Sequence, residues 1–91
     1  MEFNQENNRI YAQDEAGEII AEITFPERAK GVVAIDHTFV ADSLRGQGIA
    51  GKLMEACHAQ LRADGRKAIP VCAYAVKWFQ EHPEKADIVE A

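Results

Sequence analysis

The sequence predicts a single α/β domain whose elements run β-β-β-α-β-α around a mixed sheet. Three observations carry that prediction. Residues 18–25 alternate, with Ile19, Ala21, Ile23 and Phe25 on one face and Glu18, Glu22 and Thr24 largely on the other. Residues 32–40 form a β-branched, nearly continuous apolar run, as a central strand requires. Ile49, Leu53, Cys57 and Leu61 recur every four residues, with Met54 and Ala56 widening the stripe, which is a helical period.

The remaining elements follow in order. Residues 8–14 (NRIYAQD) fit a short strand, and Glu15-Ala16-Gly17 fits a turn, with Gly17 free to take positive φ. The alternating second strand ends at Pro26, and residues 27–31 read as a polar connection. The first three strands thus form an antiparallel meander. A loop over residues 41–47 leads into a helix over residues 48–63, which Asp64-Gly65 stops. A fourth strand covers residues 67–73, where Pro70 points to a bulge or an edge. A second helix covers residues 73–81, turning Val76 and Phe79 inward, and Pro83 stops it. The tail from Glu84 is weakly specified. Strands three and four flank a helix, so they should run parallel through a right-handed crossover. Ligands of such sheets sit beyond the carboxyl ends of the parallel strands.

Bulk properties narrow the function. A length of 91 residues makes one domain spanning 1–91. The hydrophobic share of 47% against 27% charged is a globular mixture rather than a disordered one. No apolar run reaches the ~20 residues of a membrane helix. The N-terminus shows no basic start followed by an apolar core, so a cytoplasmic protein is expected. The formal charge of −5 argues against nucleic acid as a partner but leaves room for a small anion, because Arg45 and Lys52 bracket one loop. Cys57 and Cys72 make no disulfide framework, and no metal-ligand spacing is present, so reduced thiols and no metal are expected.

The loop Arg45-Gly46-Gln47-Gly48-Ile49-Ala50 carries the chemistry. Two glycines where a strand feeds a helix let backbone N–H groups approach an anion, and the helix end adds its own unpaired N–H groups. Glycines placed for packing alone are the plainer reading, which the two flanking cations disfavour. Gly46 and Gly51 with Lys52 have P-loop spacing, but Leu53 stands where a magnesium-binding Ser or Thr belongs. Gly46, Gly48 and Gly51 also spell G-x-G-x-x-G, yet the next strand ends in Cys72-Ala73 without a ribose-binding acid. The third pattern, R/Q-x-x-G-x-G/A, is met by Arg45, Gly48 and Ala50.

In this third pattern the chain resembles the GNAT acetyltransferase superfamily. The string VAIDHTFVADSLRGQGIAGKLMEA is similar to that superfamily's central motif. His37-Thr38-Phe39-Val40, Pro70-Val71-Cys72 and His82-Pro83 resemble motifs of its small YjdJ-type members, over roughly residues 8–85. The resemblance implies a minimal GNAT-like fold and an acetyl-CoA pyrophosphate on Arg45, Gly46, Gln47, Gly48, Ile49 and Ala50. It implies that backbone groups of Phe39 and Val40 hold the pantetheine arm and polarise the acetyl carbonyl. It also implies Tyr74 as the acid that protonates departing CoA. Full-size members have further helices after the first strand and two more strands at the end, which shape the acceptor site. This chain has no room for both.

Cys72 ends a strand and opens a helix, a position that favours a thiolate. It either accepts the acetyl group or lines the site; a small buried strand residue is the plain alternative. Cys57, on the apolar stripe, reads as inert core. His37, near the end of the central strand, is placed to take a proton from the acceptor or from Cys72, or else is satisfied by a backbone carbonyl. His58 and His82 read as surface or cap residues, Trp78 and Phe79 as core or rim, and Glu22 as an alternative base or a solubilising side chain. The expected function is acetyl transfer to a small amine or thiol, directly or through Cys72. The competing expectation is a non-catalytic CoA-binding module or subunit, with a homodimer or protein partner covering an open edge.

Overall fold

The structure is a computed structural model that describes residues 1–90. Seven strands and two α-helices run in the order β1 (Asn4–Glu6), β2 (Arg9–Gln13), β3 (Ile19–Thr24), β4 (Glu27–Ala29), β5 (Val32–Ile35), β6 (His37–Val40), α1 (Ile49–Asp64), β7 (Lys67–Pro70) and α2 (Ala73–Glu81). Two sheets form, ordered β1-β2-β3-β6 and β4-β5-β7, in place of one mixed sheet. The expected meander survives as the antiparallel pairs of β3 with β2 and β6, and the expected parallel pair as β5 with β7.

The expected third strand is one run of sequence serving both sheets. It breaks at Asp36, where β5 stops and β6 begins. β5 is almost wholly buried and pairs on both sides, whereas β6 is half exposed. The Ile35 carbonyl accepts from both Val71 and Cys72 N–H at 3.0 Å, and the β5–β7 register ends at Ile35 and Pro70. Beyond that point β6 pairs only with β3, which leaves its other edge open.

β3 ends before Pro26, as expected, but pairing does not stop with Pro26. Its carbonyl accepts from Ala34 N–H at 2.9 Å, so the chain resumes pairing as β4 inside the expected polar connection. Proline lacks a donor but keeps its acceptor. The β2–β3 turn is held by Asp14, whose Oδ1 accepts from Ala16 and Glu18 N–H at 2.9 Å each.

The core lies between the strands and the stripe of α1. Ile10, Ala12, Ala21 and Ile23 meet Leu53, Met54, Cys57 and Leu61, all without exposed surface. Trp78 and Phe79 of α2 join the same core. Val76, expected to turn inward, is exposed; the buried stripe of α2 is Ala75, Trp78 and Phe79.

The C-terminal segment is fixed rather than loose. A 3-10 segment, Pro83–Ile88, precedes a parallel bridge of Val89 to Ala68. His58, expected at the surface, is 5% exposed because Asp87 Oδ1 meets its Nε2 at 3.0 Å and the Trp78 ring lies beside it. The His82 ring caps α2 instead, with Nδ1 2.8 Å from the Trp78 carbonyl and the ring stacked on Trp78.

The hydrogen bond from His58 holds the Asp87 carboxyl below its ordinary range, with Arg62 adding to the effect. A lowered folded pKa contributes stability above the unfolded value and loses it as pH falls through the folded one. Asp87→Asn should therefore lower the melting temperature at pH 7 and leave it nearly unchanged near pH 2. Equal losses at both pH values would show that the carboxylate charge is not what fastens the segment.

Candidate active site

The open edge of β6, the start of α1 and the start of α2 border an open cleft of about 430 Å³. Thr38, Phe39 and Val40 line it from β6, Arg45, Gly46, Gly48, Ile49 and Ala50 from the loop and helix start, and Tyr74 from α2.

The loop geometry follows from its glycines. Gly46 and Gly48 sit at φ 82° and 73°, a left-handed region that glycine adopts without strain. Gly48 is the N-cap of α1 and offers no side chain to cap it. No acidic residue stands in the first turn either. Helix starts normally satisfy their free N–H groups with such side chains. Here Gly48, Ile49 and Ala50 line the cavity, with the positive end of the helix dipole behind them. Arg45 adds a guanidinium, whose Nε lies 3.2 Å from Asp42 Oδ1 in an exposed pair. Such a pair is weak enough to yield to a phosphate. An uncapped helix start, two left-handed glycines and an exposed cation fit a pyrophosphate.

The register assigns the backbone groups of β6. Ala41 N–H donates to the Ile20 carbonyl at 2.8 Å, in the alignment that sets Glu22 opposite Phe39 and Ala21 opposite Val40. Antiparallel alternation then commits the Phe39 amide and carbonyl to β3 and turns those of Thr38 and Val40 to the open edge. The Phe39 side chain borders the cavity and is 39% exposed. Thr38 thus takes the edge position that the resemblance gave to Phe39, as the period of two across the strand requires.

Cys72 and His37 lie apart. Cys72 is the N-cap of α2, and its Sγ accepts from Ala75 N–H at 3.4 Å. Thr38 Oγ1 approaches the same sulfur at 3.7 Å, so Cys72 sits where β6 and β7 separate. Strand alternation sends His37 to the face opposite Thr38. There His37 Nε2 lies 3.7 Å from Glu22 Oε1, and Arg9 Nε donates to Glu22 Oε2 at 2.6 Å. The structure therefore does not join His37 to Cys72.

Tyr74 faces α1. Its hydroxyl would lie 3.8 Å from a Cβ placed on Gly51. Burial and the nearby Glu81 raise its pKa, which keeps the phenol protonated at neutral pH. Burial pushes the Cys57 thiol up to about 12, as suits a core residue.

The family model described as GCN5-related N-acetyl-transferase matches residues 9–88. The chain belongs to this GCN5-related N-acetyltransferase family. Solved structures agree. A GCN5-like protein from Staphylococcus aureus, solved by NMR, is 31% identical with a TM-score of 0.82, covering 99% of this chain and 88% of its own. The GNAT family N-acetyltransferase YhbS from Escherichia coli, in complex with CoA, is 22% identical with a TM-score of 0.59, covering 68% of this chain and 38% of its own. A ribosomal-protein-alanine N-acetyltransferase from Brucella melitensis biovar Abortus 2308 is 20% identical with a TM-score of 0.59, covering 91% and 62%. The latter two share the fold, and this chain spans less than two thirds of their length. No curated protein sequence matches. Among the described residues, no helix is long and apolar enough to cross a membrane.

Proposed function

We propose that this GNAT domain binds acetyl-CoA and transfers its acetyl group to an amine or thiol. The uncapped, glycine-built start of α1 beside the open edge of β6 carries the reading. The pyrophosphate takes the free N–H groups of Gly48, Ile49 and Ala50, with those of Gly46 and Gln47 and the Arg45 guanidinium closing over it. The pantetheine arm lies along β6 as an added strand, bonded to the backbone of Thr38 and Val40. A Val40 N–H aimed at the thioester oxygen stabilises the charge that develops there.

The acceptor attacks the thioester carbon, CoA leaves as a thiolate, and Tyr74 supplies the proton that the thiolate needs. His37 takes the acceptor's proton on the outer face. Cys72, at a helix N-terminus and within reach of the same edge, is the alternative first acceptor. In that route its sulfur takes the acetyl group, CoA thiol departs, and the external nucleophile then displaces Cys72.

Intact mass after incubation with acetyl-CoA distinguishes the routes. The relay predicts one added acetyl group in the wild type and none in Cys72→Ala, with transfer abolished. Direct transfer predicts no adduct and near-normal turnover in that variant. Tyr74→Phe should lower kcat by about tenfold or more with an unchanged affinity for acetyl-CoA. An unchanged kcat would remove Tyr74 from the acid role.

A further inference from the structure

We infer that Gly51 is a specificity-determining residue, whose missing side chain keeps a passage open between α1 and Tyr74 for the thiol arm of the cofactor. The inference rests on the acetyl-CoA reading and adds to it a residue that no pyrophosphate contact requires. Glycine is a costly choice inside a helix, because it loses more conformational freedom on folding than alanine does. Gly51 is the third residue of α1. Two ordinary reasons place a glycine in a helix, a positive φ and a crowding neighbour, and neither applies. The positive-φ glycines are Gly17, Gly31, Gly46, Gly48 and Gly65, so Gly51 has ordinary helical backbone. Beyond its own stretch of chain, a Cβ at Gly51 would meet only the Tyr74 hydroxyl, at 3.8 Å. That is a normal van der Waals separation, so the packing of α1 against α2 has room for alanine.

The place of Gly51 supplies the remaining reason. Ile49, Ala50 and Gly51 border the cleft from α1, and Tyr74 borders it from α2. The two helices therefore face each other across the cleft at a glycine and a phenol. The arm starts from a diphosphate on residues 46–50 and must bring its sulfur to the Tyr74 hydroxyl, which protonates it. Gly51 follows the diphosphate loop directly and stands within contact distance of that hydroxyl. The space that a Cβ would occupy is thus on the arm's path, and the ligand rather than the protein fills it. The helix gives up stability at Gly51 to keep that width, a trade found where activity and stability compete for one position.

Gly51→Ala separates this role from packing, because the two predict opposite signs for stability. Without ligand the variant should melt about 3–6 °C above the wild type, since alanine restores helix propensity where nothing obstructs it. By calorimetry it should bind CoA about tenfold more weakly or worse, as one misplaced methylene in a fitted site is worth about 10–200-fold. ADP carries a diphosphate without the arm, so its affinity should be the same for both proteins. A lower melting temperature in the ligand-free variant would show that Gly51 serves the packing of the helices and would overturn the inference. Unchanged CoA affinity, or an equal loss for CoA and ADP, would overturn it too. A wild type that binds neither CoA nor ADP would instead sink the acetyl-CoA reading, and this inference with it.

Discussion

Gly48→Val is expected to remove acetyl-CoA binding from a domain that still folds. Gly48 holds φ 73° at the first turn of α1, and a non-glycine residue there costs about 1–2 kcal/mol before β-branching adds more. Backbone that relaxes toward negative φ turns the N–H groups of residues 48–50 away from a common point. Each charge-assisted hydrogen bond is worth roughly 1.5–3 kcal/mol, so losing one or two weakens binding on the order of 100-fold. Gly17→Val is the matched control, because Gly17 sits at φ 84° in the β2–β3 turn. It should lower the melting temperature by a similar amount and leave binding intact. Calorimetry showing Gly48→Val within threefold of the wild type would mean that the helix start does not hold the ligand.

Leu53→Ala carries the largest expected loss of stability. Leu53 has no exposed surface and stands in the middle of the buried stripe of α1. Truncating a buried leucine costs roughly 2–5 kcal/mol. A domain of this size has a total stability of about 5–14 kcal/mol. The melting temperature should fall by roughly 10–25 °C. Lys52→Ala, one residue earlier and exposed, should move it by only a few degrees. Similar effects of the two substitutions in thermal unfolding would contradict the packing of α1 on the strands.

Strong local patterns were legible in the sequence. The stripe from Ile49 to Leu61, the alternation from Ile19 to Phe25 and the glycine stop at Gly65 all appear where pattern placed them. Side-chain period and cap chemistry are local, so a single chain displays them. What pattern could not show was tertiary. The apolar run from Val32 to Val40 hides the break at Asp36, because hydropathy does not register which neighbour a strand pairs with. β1 and β4 are short and fully exposed, so no burial marked them. The burial of His58 leaves no mark in the sequence because its partner, Asp87, lies 29 positions away in a tail with no period of its own. The left-handed geometry of the glycine loop was legible because positive φ at Gly46 and Gly48 is a backbone property that the residue type announces. The relation of His37 to Cys72 was not, because it depends on which face of β6 each side chain meets.

Thermal unfolding with and without acetyl-CoA, with NAD as the control, tests the central claim most directly. Ligand at about 100 times its dissociation constant adds ~2.7 kcal/mol to the folded state. In a domain this small the midpoint should rise by roughly 10 °C or more with acetyl-CoA and not with NAD. No rise at millimolar acetyl-CoA, or an equal rise with NAD, would contradict an acetyl-CoA site at the start of α1.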